Sequence, residues 1–472
     1  MPLVPAKCTQ CAANIEVDES KEAAVCPSCG TPFIVEKAIN NYTTNTYIVN
    51  NYYADTVKDF VVVAGELLNY NGVSRTVVIP DNVKKIGKAF QNSTITNVTI
   101  PHGVEEIGDA AFLGCKSLES VVIPDSVIRI GNSSFCDCIS LKNISIPNNV
   151  TTIGENAFSG CKNLKSANIP YKLRSISNGL FSSCTFLESI TIPNGVTRIG
   201  NDAFWDCTNL KSVHIPESVT TIGNKAFEYC SNVKGLELPR NIVHLGNYAF
   251  RGCSSLQTLK FNASALSDLT AEDNLFYDAG THSEGIKVII GAGVTKIPNH
   301  LFNSRDNHSP KILSVIFESE STCYSIGEYA FANCSHLLEL SLGTNIAEIG
   351  KNAFMSCSNL TLLSIPNKVK TIGYMSFSYC TNLTSVVIGD EVINIEYGAF
   401  YGCANIVNLE IPFGVVTIGD WAFYGCTKLK YIDIPSSVVN LGESAFSKAV
   451  TVKRLRNMCA SGCSPLTVIF GK

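Results

Sequence analysis

The chain has 472 residues, of which 16% are charged and 45% hydrophobic, and its formal net charge is −4. So small a charge on this length creates no overall field to attract nucleic acid or an anionic membrane. The sequence has no apolar run of about 18 residues, which a membrane-spanning helix would need. Residues 1–5 lack the basic region and apolar core of a signal peptide, so we expect a cytoplasmic protein.

Two C-x-x-C pairs mark the start of the chain. They consist of Cys8 with Cys11 and Cys26 with Cys29, and 14 residues separate the pairs. Four thiolates at one point match tetrahedral zinc, and an ion with four protein ligands is structural. We therefore expect one structural zinc ion, with reduced thiols or two disulfides as the alternatives. With short β-like runs between and after the pairs, residues 1–37 resemble a zinc ribbon.

The charge of this segment disfavours nucleic acid as its partner. Residues 1–37 hold three lysines and five acidic residues, a net charge of −2, which is a poor match to phosphate. Residues 38–58 are rich in Asn, Thr and Tyr without periodicity and indicate a linker. Residues 60–72 then predict an opening hairpin, with Asn71-Gly72 as a strong turn signal.

A repeated pattern, I-P-x-x-V-x-x-I-G-x-x-A-F-x-x-C-x-x-L, follows the linker. Cysteines recur every 23 residues from Cys115 to Cys253, and again from Cys334 to Cys426. A fixed period of this size is typical of a solenoid, in which one supersecondary unit is stacked many times. One phenylalanine marks each unit, which predicts about sixteen coils in residues 59–448: Phe90, Phe112, Phe135, Phe158, Phe181, Phe204, Phe227, Phe250, Phe276, Phe302, Phe331, Phe354, Phe377, Phe400, Phe423 and Phe446.

The unit at residues 141–163 predicts how one coil folds. Its first aliphatic residues alternate with polar ones, as in a half-buried strand, and Pro147 ends that strand. Gly154 follows in a bend that favours a residue without Cβ, and the segment around the phenylalanine returns with one short helical turn. Ser177 and Glu396 replace this glycine, so either the bend needs no positive φ or these two coils are strained.

These motifs resemble the BspA-like family of leucine-rich-repeat proteins. The L-x-x-I-x-I-P strand and the I-G-x-x-A-F-x-x-C-x-x-L return carry the resemblance, as from Ile192 to Leu210, over about 390 residues. The resemblance implies an α/β-type repeat solenoid that is leucine-rich-repeat-like, with a parallel β-sheet on one face and mostly β and loops. It also implies adhesion or contact with host proteins at the cell surface.

The recurring cysteines are predicted to be small buried thiols and not redox or metal sites. Neighbouring coils are close enough for a disulfide, but seven sulfurs in an unbroken column cannot all pair, and their directions are parallel. Unpaired thiols in this number indicate a reducing compartment.

A longer interval interrupts the repeat, since Cys253 and Cys334 are 81 residues apart. Strand-like runs persist there and predict three longer coils, over about residues 254–330, in place of an inserted domain. Their charged loops, which include His282 and His308, are interpreted as solvated, with a metal or ligand site as the alternative. Residues 449–472 are predicted to form a C-terminal cap.

The outward strand positions form polar, nearly neutral rows that differ from a basic nucleic-acid stripe. The sequence shows no nucleophile elbow, recognisable carboxylate pair or phosphate loop, so we predict no catalytic residues and no enzyme activity; a site in residues 262–325 is the disfavoured alternative. The predicted binding surface consists of Ser145, Asn168, Thr191, His214, Glu237, Ser341, Ser364, Glu410 and Asp433.

The resulting hypothesis is a non-enzymatic binding scaffold whose rigid solenoid recognises a protein partner or, alternatively, a glycan. A cell-surface adhesin-like protein is one alternative. An intracellular adaptor, in which ribbon and solenoid hold different partners, is the other.

Overall fold

The structure is a computed structural model that describes residues 3–7, 14–18, 23–25, 32–34, 59–303 and 308–454. Two short antiparallel pairs come first: Leu3–Lys7 with Asn14–Asp18, and Ala23–Val25 with Pro32–Ile34. The four cysteines predicted to bind zinc, the predicted linker and residues 455–472 of the predicted cap lie outside the described residues. No helix in the described part of the chain could span a membrane.

The repeats form a β-solenoid whose coils each have three sides. The first side, which we call the outer strand face, carries short parallel strands that pair one repeat apart, so that Thr191 lies beside His214. Its strands are Thr76–Val78, Asn97–Thr99, Ser120–Val122, Asn143–Ile144, Ser166–Ala167, Ser189–Thr191, Ser212–His214, Gly235–Leu238, Thr258–Phe261, Ile286–Ile290, Ile312–Phe317, Glu339–Ser341, Leu362–Ser364, Ser385–Val387, Asn408–Leu409, Tyr431–Ile434 and Thr451–Arg454.

The second side, the second strand face, also carries parallel strands, which the sequence did not predict. Each has two residues, of which the isoleucine or leucine points inward. These strands are Lys85–Ile86, Glu106–Ile107, Arg129–Ile130, Thr152–Ile153, Ser175–Ile176, Arg198–Ile199, Thr221–Ile222, His244–Leu245, Lys296–Ile297, Ser325–Ile326, Glu348–Ile349, Thr371–Ile372, Asn394–Ile395, Thr417–Ile418 and Asn440–Leu441.

The third side, the turn face, consists of turns around each phenylalanine. Backbone N–H groups there donate to the next coil; that of Phe158, for example, donates to the Leu180 carbonyl at 3.0 Å. In most coils the residues two before and two after the phenylalanine have positive φ, as do Asn156 (53°) and Gly160 (71°). A helical turn would direct its N–H groups along its own chain. The predicted helical turn is therefore wrong, and the α/β-type class is corrected to a β-solenoid, with no helix among the described residues.

The sixteen phenylalanines line up in one continuous file from Phe90 to Phe446. Neighbouring ring centroids lie 5.0–5.8 Å apart, and nearly all neighbouring rings are stacked. The rings belong to a single hydrophobic core that runs the length of the solenoid. The predicted stacking of equivalent side chains is confirmed.

The opening hairpin is confirmed, but its turn lies elsewhere than predicted. Phe60–Val63 pairs antiparallel with Glu66–Tyr70, and the turn falls at Ala64-Gly65, where φ is 50° and 80°. Two consecutive residues with positive φ suit the twist of a tight hairpin. Asn71-Gly72 comes after the second strand. Tyr70 then packs on Phe90 at 5.3 Å and extends the ring file to this end.

The repeat glycine is required by close approach and not by its backbone conformation. Gly154 does not have positive φ, and a Cβ built on it would lie 2.4 Å from the Asn132 backbone nitrogen in the preceding coil. At Ser177 the hydroxyl donates to the Ile153 carbonyl instead, and the second strand ladder is interrupted there. The bend therefore needs no positive φ, and nothing in the structure explains how Glu396 is accommodated.

In the described part of the long interval, the chain forms three longer coils and no inserted domain. Its outer strands continue one five-stranded ladder from Gly235–Leu238 to Glu339–Ser341. The second strand ladder stops at His244–Leu245 and resumes at Lys296–Ile297, because the coil between them carries no second strand. At the far end, Thr451–Arg454 extends the outer face beyond residue 448, where the solenoid was predicted to stop.

Candidate functional site

All nine residues of the predicted binding surface are exposed on the outer strand face. The alternation of the strands places them there, because Ser189 and Thr191 face outward while Ile190 between them is buried. The parallel register sets Glu237 beside Lys260 and Asp433 beside Lys453. The row is therefore a real surface feature, and its members come from strands that are neighbours in space.

The row continues through the longer coils. The unequal repeat spacing there hid its members in the sequence. Lys260, Ile289 and Ile316 fill it between Glu237 and Ser341. The Lys260 Nζ lies 3.2 Å from a Glu318 oxygen and 3.7 Å from a Glu237 oxygen. The hydrogen bond to Glu318 raises the pKa of Lys260. The middle of the row thus combines two isoleucines with a lysine that forms ion pairs.

A groove of about 840 Å³ opens on the outer face near the C-terminal end of the solenoid. It lies where the ladder is interrupted between Asn408–Leu409 and Tyr431–Ile434, and residues of both strands and of Ser385–Val387 line it. Leu409 is half-buried there, whereas the equivalent Val386 and Ile432 are buried. The interruption therefore exposes part of the core at this point.

The groove combines apolar walls with a charged rim of both signs. Phe413 is 73% exposed, and Tyr431 donates a hydrogen bond of 2.5 Å to an Asp433 carboxylate oxygen, which raises the pKa of the phenol. The lining also holds Glu410, Asp433, Asp390, Lys428 and Lys430. The structure thus brings two of the predicted binding residues, Glu410 and Asp433, into one site. Sequence analysis missed Phe413 and Tyr431. Both could have been found, because each is an aromatic residue at a repeat position that is polar or aliphatic in most other coils.

A smaller depression of about 440 Å³ brings together two other predicted residues, His214 and Glu237. Glu217 and Ser218 also line it. The remaining predicted residues, Ser145, Asn168, Thr191, Ser341 and Ser364, line neither depression.

The charged loops of the longer coils form internal pairs. His308 Nδ1 lies 2.9 Å from Asp278 Oδ1, and its ring stacks on Tyr277 at 4.7 Å. The Lys296 Nζ lies 2.8 Å from Asp268. Within the part of the chain that the structure describes, no three metal-ligating side chains come together. The charged side chains of these loops therefore pair with one another, whereas the sequence predicted that they are solvated.

The twelve recurring cysteines are free and buried, as predicted. Each Sγ–H donates to the carbonyl of the phenylalanine in the preceding coil at 2.9–3.9 Å, as Cys161 does to Phe135. Burial raises the pKa of the Cys253 thiol to about 12 and that of Cys161 further. The thiolate is the reactive form, so these cysteines are chemically inert and act as small donors inside the coil.

The stacked coils, the outer parallel strands and the phenylalanine file define a leucine-rich-repeat solenoid. The chain belongs to the family described as BspA type leucine rich repeat region (6 copies), whose profile matches residues 70–188, 174–309, 307–412 and 371–458.

Solved bacterial leucine-rich-repeat structures are similar to this chain. A leucine-rich repeat protein from Bacteroides ovatus is 27% identical, with 81% of this chain and 84% of that chain covered and a TM-score of 0.51. A leucine rich cell surface protein from Faecalibacterium prausnitzii is also 27% identical, with 82% and 92% covered and a TM-score of 0.38. A leucine-rich repeat protein from Eubacterium ventriosum is 18% identical, with 85% and 92% covered and a TM-score of 0.35. None of the curated proteins matches the chain.

Proposed function

We propose that this protein is a non-enzymatic scaffold that binds a protein partner on its outer strand face, centred on the C-terminal groove. The groove carries the proposal, because it exposes apolar side chains within a rim of Glu410, Asp433, Lys428 and Lys430. Apolar centres with polar rims are the common anatomy of protein interfaces. A glycan is the alternative occupant.

A charge placed in the groove tests this proposal. Phe413→Glu in the full chain should abolish capture of the partner from lysate of the native cells, because a carboxylate would be buried in the apolar centre of the interface. Val122→Glu is the matched control: Val122 is 75% exposed on the same face, in a strand distant from the groove. Mass spectrometry of the captured proteins would compare the variants. Equal capture by wild type and both variants would refute the groove as the binding site.

We also propose that residues 1–37 hold one structural zinc ion on Cys8, Cys11, Cys26 and Cys29. Each cysteine pair falls within a six-residue connection, 8–13 or 26–31, that joins two antiparallel strands. Such hairpin connections are where the paired ligands of a zinc ribbon belong. The ion would hold this small segment folded, since it is too short to bury a core of its own.

For the cellular location we propose a reducing compartment, the cytoplasm, where the scaffold would act as an adaptor. The support is the column of unpaired thiols. The family resemblance favours the cell surface as the alternative. Labelling of intact cells with a membrane-impermeant reagent separates the two, since a labelled protein would exclude the cytoplasmic proposal.

A further inference from the structure

A cluster of six aromatic side chains lies on the turn face of the C-terminal coils, away from the groove. Neighbouring rings lie 5.1–6.0 Å apart, and four of the six side chains are 38–45% exposed. We call this set the aromatic patch; it comprises Tyr374, Tyr379, Tyr397, Tyr401, Trp421 and Tyr424.

The fold does not need aromatic residues at these positions. In several earlier coils the residue after the repeat glycine is an asparagine whose side chain accepts the next coil's backbone N–H; the Asn224 N–H, for example, donates to Asn201 Oδ1 at 2.9 Å. Tyr374 and Tyr397 occupy this position in their coils and cannot accept that bond as the amide does. The two tyrosines thus stand where an asparagine would form a hydrogen bond between neighbouring coils.

Two patch residues also adopt a backbone conformation that bulky side chains avoid. Trp421 and Tyr379 have φ of 60° and 59°. Elsewhere in the solenoid the same two kinds of position hold small residues such as Asn156 and bulky ones such as Lys225 and Tyr248, so this backbone conformation belongs to the repeat and is not special to the patch.

A second aromatic cluster on the same face shows what such rings hold. The Arg251 guanidinium lies 4.9–5.5 Å from the ring centroids of Tyr229, Tyr248 and Tyr277. The same guanidinium pairs at 3.2 Å with the buried carboxylate of Glu228. Ring faces attract cations, and a nearby carboxylate completes the site. In this second cluster the bound cation is the guanidinium of Arg251, which belongs to the same chain.

In the aromatic patch most of the ring faces have no such cation. Within the described residues only the Lys351 ammonium approaches, 5.2 Å from the Tyr374 centroid at one edge. Glu396 and Asp420, which precede Tyr397 and Trp421 in the sequence, are both exposed. The patch therefore has exposed ring faces that can accept a cation, with two exposed carboxylates next to them in sequence.

We propose that the aromatic patch binds arginine side chains of a basic peptide segment in a partner protein. The guanidinium is planar and weakly hydrated, and it stacks on aromatic faces while a carboxylate accepts its N–H groups. The exposed parts of four rings of roughly 200 Å² each give about 350 Å². A globular partner needs about 800 Å² on each side, so the patch suits a short segment. The proposal extends the proposed function to a second face and does not depend on the groove.

Tryptophan fluorescence provides the test, since the chain has two tryptophans and Trp205→Phe leaves Trp421 as the sole reporter. The probe is a peptide of four arginines alternating with glycine, and its control replaces each arginine with citrulline, a neutral isostere. We expect a saturable change with the arginine peptide and at least tenfold weaker binding of the citrulline peptide. Calorimetry on the unaltered full chain repeats the comparison and guards against disturbance by Trp205→Phe, whose indole N–H donates to Glu228.

Side-chain variants locate the site. Tyr401→Ala and the pair Glu396→Gln with Asp420→Asn should each weaken the arginine peptide several-fold, whereas Tyr401→Phe keeps the ring and should bind as wild type. Phe413→Glu should leave this binding unchanged, so failure of the groove and failure of the patch are distinguishable. Equal binding of the arginine and citrulline peptides, or no binding of either at millimolar concentration, would overturn the proposal. A β-linked glucose oligosaccharide that changes Trp421 fluorescence when the peptide does not would assign the patch to glycans instead.

Discussion

Single residues in this solenoid are constrained mainly by the coil above or below them. Gly154 lacks a Cβ because the Asn132 backbone of the preceding coil occupies that space. Phe158 has no exposed surface, and its ring lies between Phe135 at 5.3 Å and Phe181 at 5.6 Å. The cost of a substitution therefore depends on contacts one repeat away in sequence.

We expect Gly154→Ala to lower the free energy of unfolding by about 1–3 kcal/mol, because the new methyl group would force neighbouring backbones apart. Gly235→Ala is the control: a Cβ there meets no atom within 4 Å, and Gly235 lies in a strand. Alanine at that position should be neutral or stabilise by about 0.5 kcal/mol. Urea unfolding followed by circular dichroism compares the two, and equal effects would contradict the close-approach explanation.

Phe158→Ala should cost about 3–5 kcal/mol, because it removes one ring from a closely packed file and leaves a cavity. Phe186→Ala is a suitable control, since Phe186 is among the exposed hydrophobic residues of the same region. Its loss should cost well under half as much. Unfolding midpoints in urea would measure both, and a small cost at Phe158 would show that the file can collapse around the gap.

At the scale of elements, the cysteine column joins each coil to the one before it. Ten of its twelve thiols have raised pKa values, nine of them chiefly through burial and Cys138 chiefly through its hydrogen bond with Cys115. The folded chain therefore keeps protons that the unfolded chain releases. This contribution to stability is complete below the unfolded thiol pKa of about 8.5 and is lost as the pH rises toward the folded values.

We accordingly predict a steep loss of stability above about pH 8.5, of about 1.4 kcal/mol per pH unit for each thiol that ionises on unfolding. Urea midpoints measured from pH 7 to pH 10 would show it. A chain with Cys161, Cys184 and Cys207 replaced by alanine should be less stable at pH 7 but should have a flatter slope. The same slope in both chains would show that other groups control the alkaline transition.

The N-terminal element makes a separate prediction. Metal analysis of the purified full chain should find one zinc ion per chain, and Cys26→Ser should remove it because three ligands hold the ion far more weakly. Cys136→Ser is the matched control, since Cys136 is a half-buried free thiol of the solenoid. Zinc retained by Cys26→Ser, or absent from the wild type, would refute the predicted site.

Much of the coil could be predicted from the sequence because its period is strict. The alternation before Pro147 located the outer strand, and the recurring phenylalanines located the core. The turn face could not be predicted, because residues as different as Asn156, Lys225 and Trp421 share the same left-handed conformation. The groove also escaped prediction, since it arises where two strands fail to pair and no single residue encodes that gap.

At the scale of the whole molecule, the three sides of the solenoid carry different surface features. The outer strand face carries the groove, the turn face carries both aromatic clusters, and the second strand face carries ion pairs between neighbouring coils, such as Lys85 with Glu66 at 3.1 Å. Because each coil contacts mainly its neighbours, the two proposed sites can be altered separately. Partners at the two proposed sites could therefore bind at the same time, as the proposed scaffold function requires.

The opening hairpin also affects how copies of this molecule can meet. A ladder of parallel strands can in principle be lengthened by any strand that runs in the same direction, including one from the far end of another copy. On the second strand face that edge is occupied by Phe60–Val63, which runs in the opposite direction. A second copy that met this edge would have to pair with it antiparallel, so it could not continue the parallel stacking of coils there.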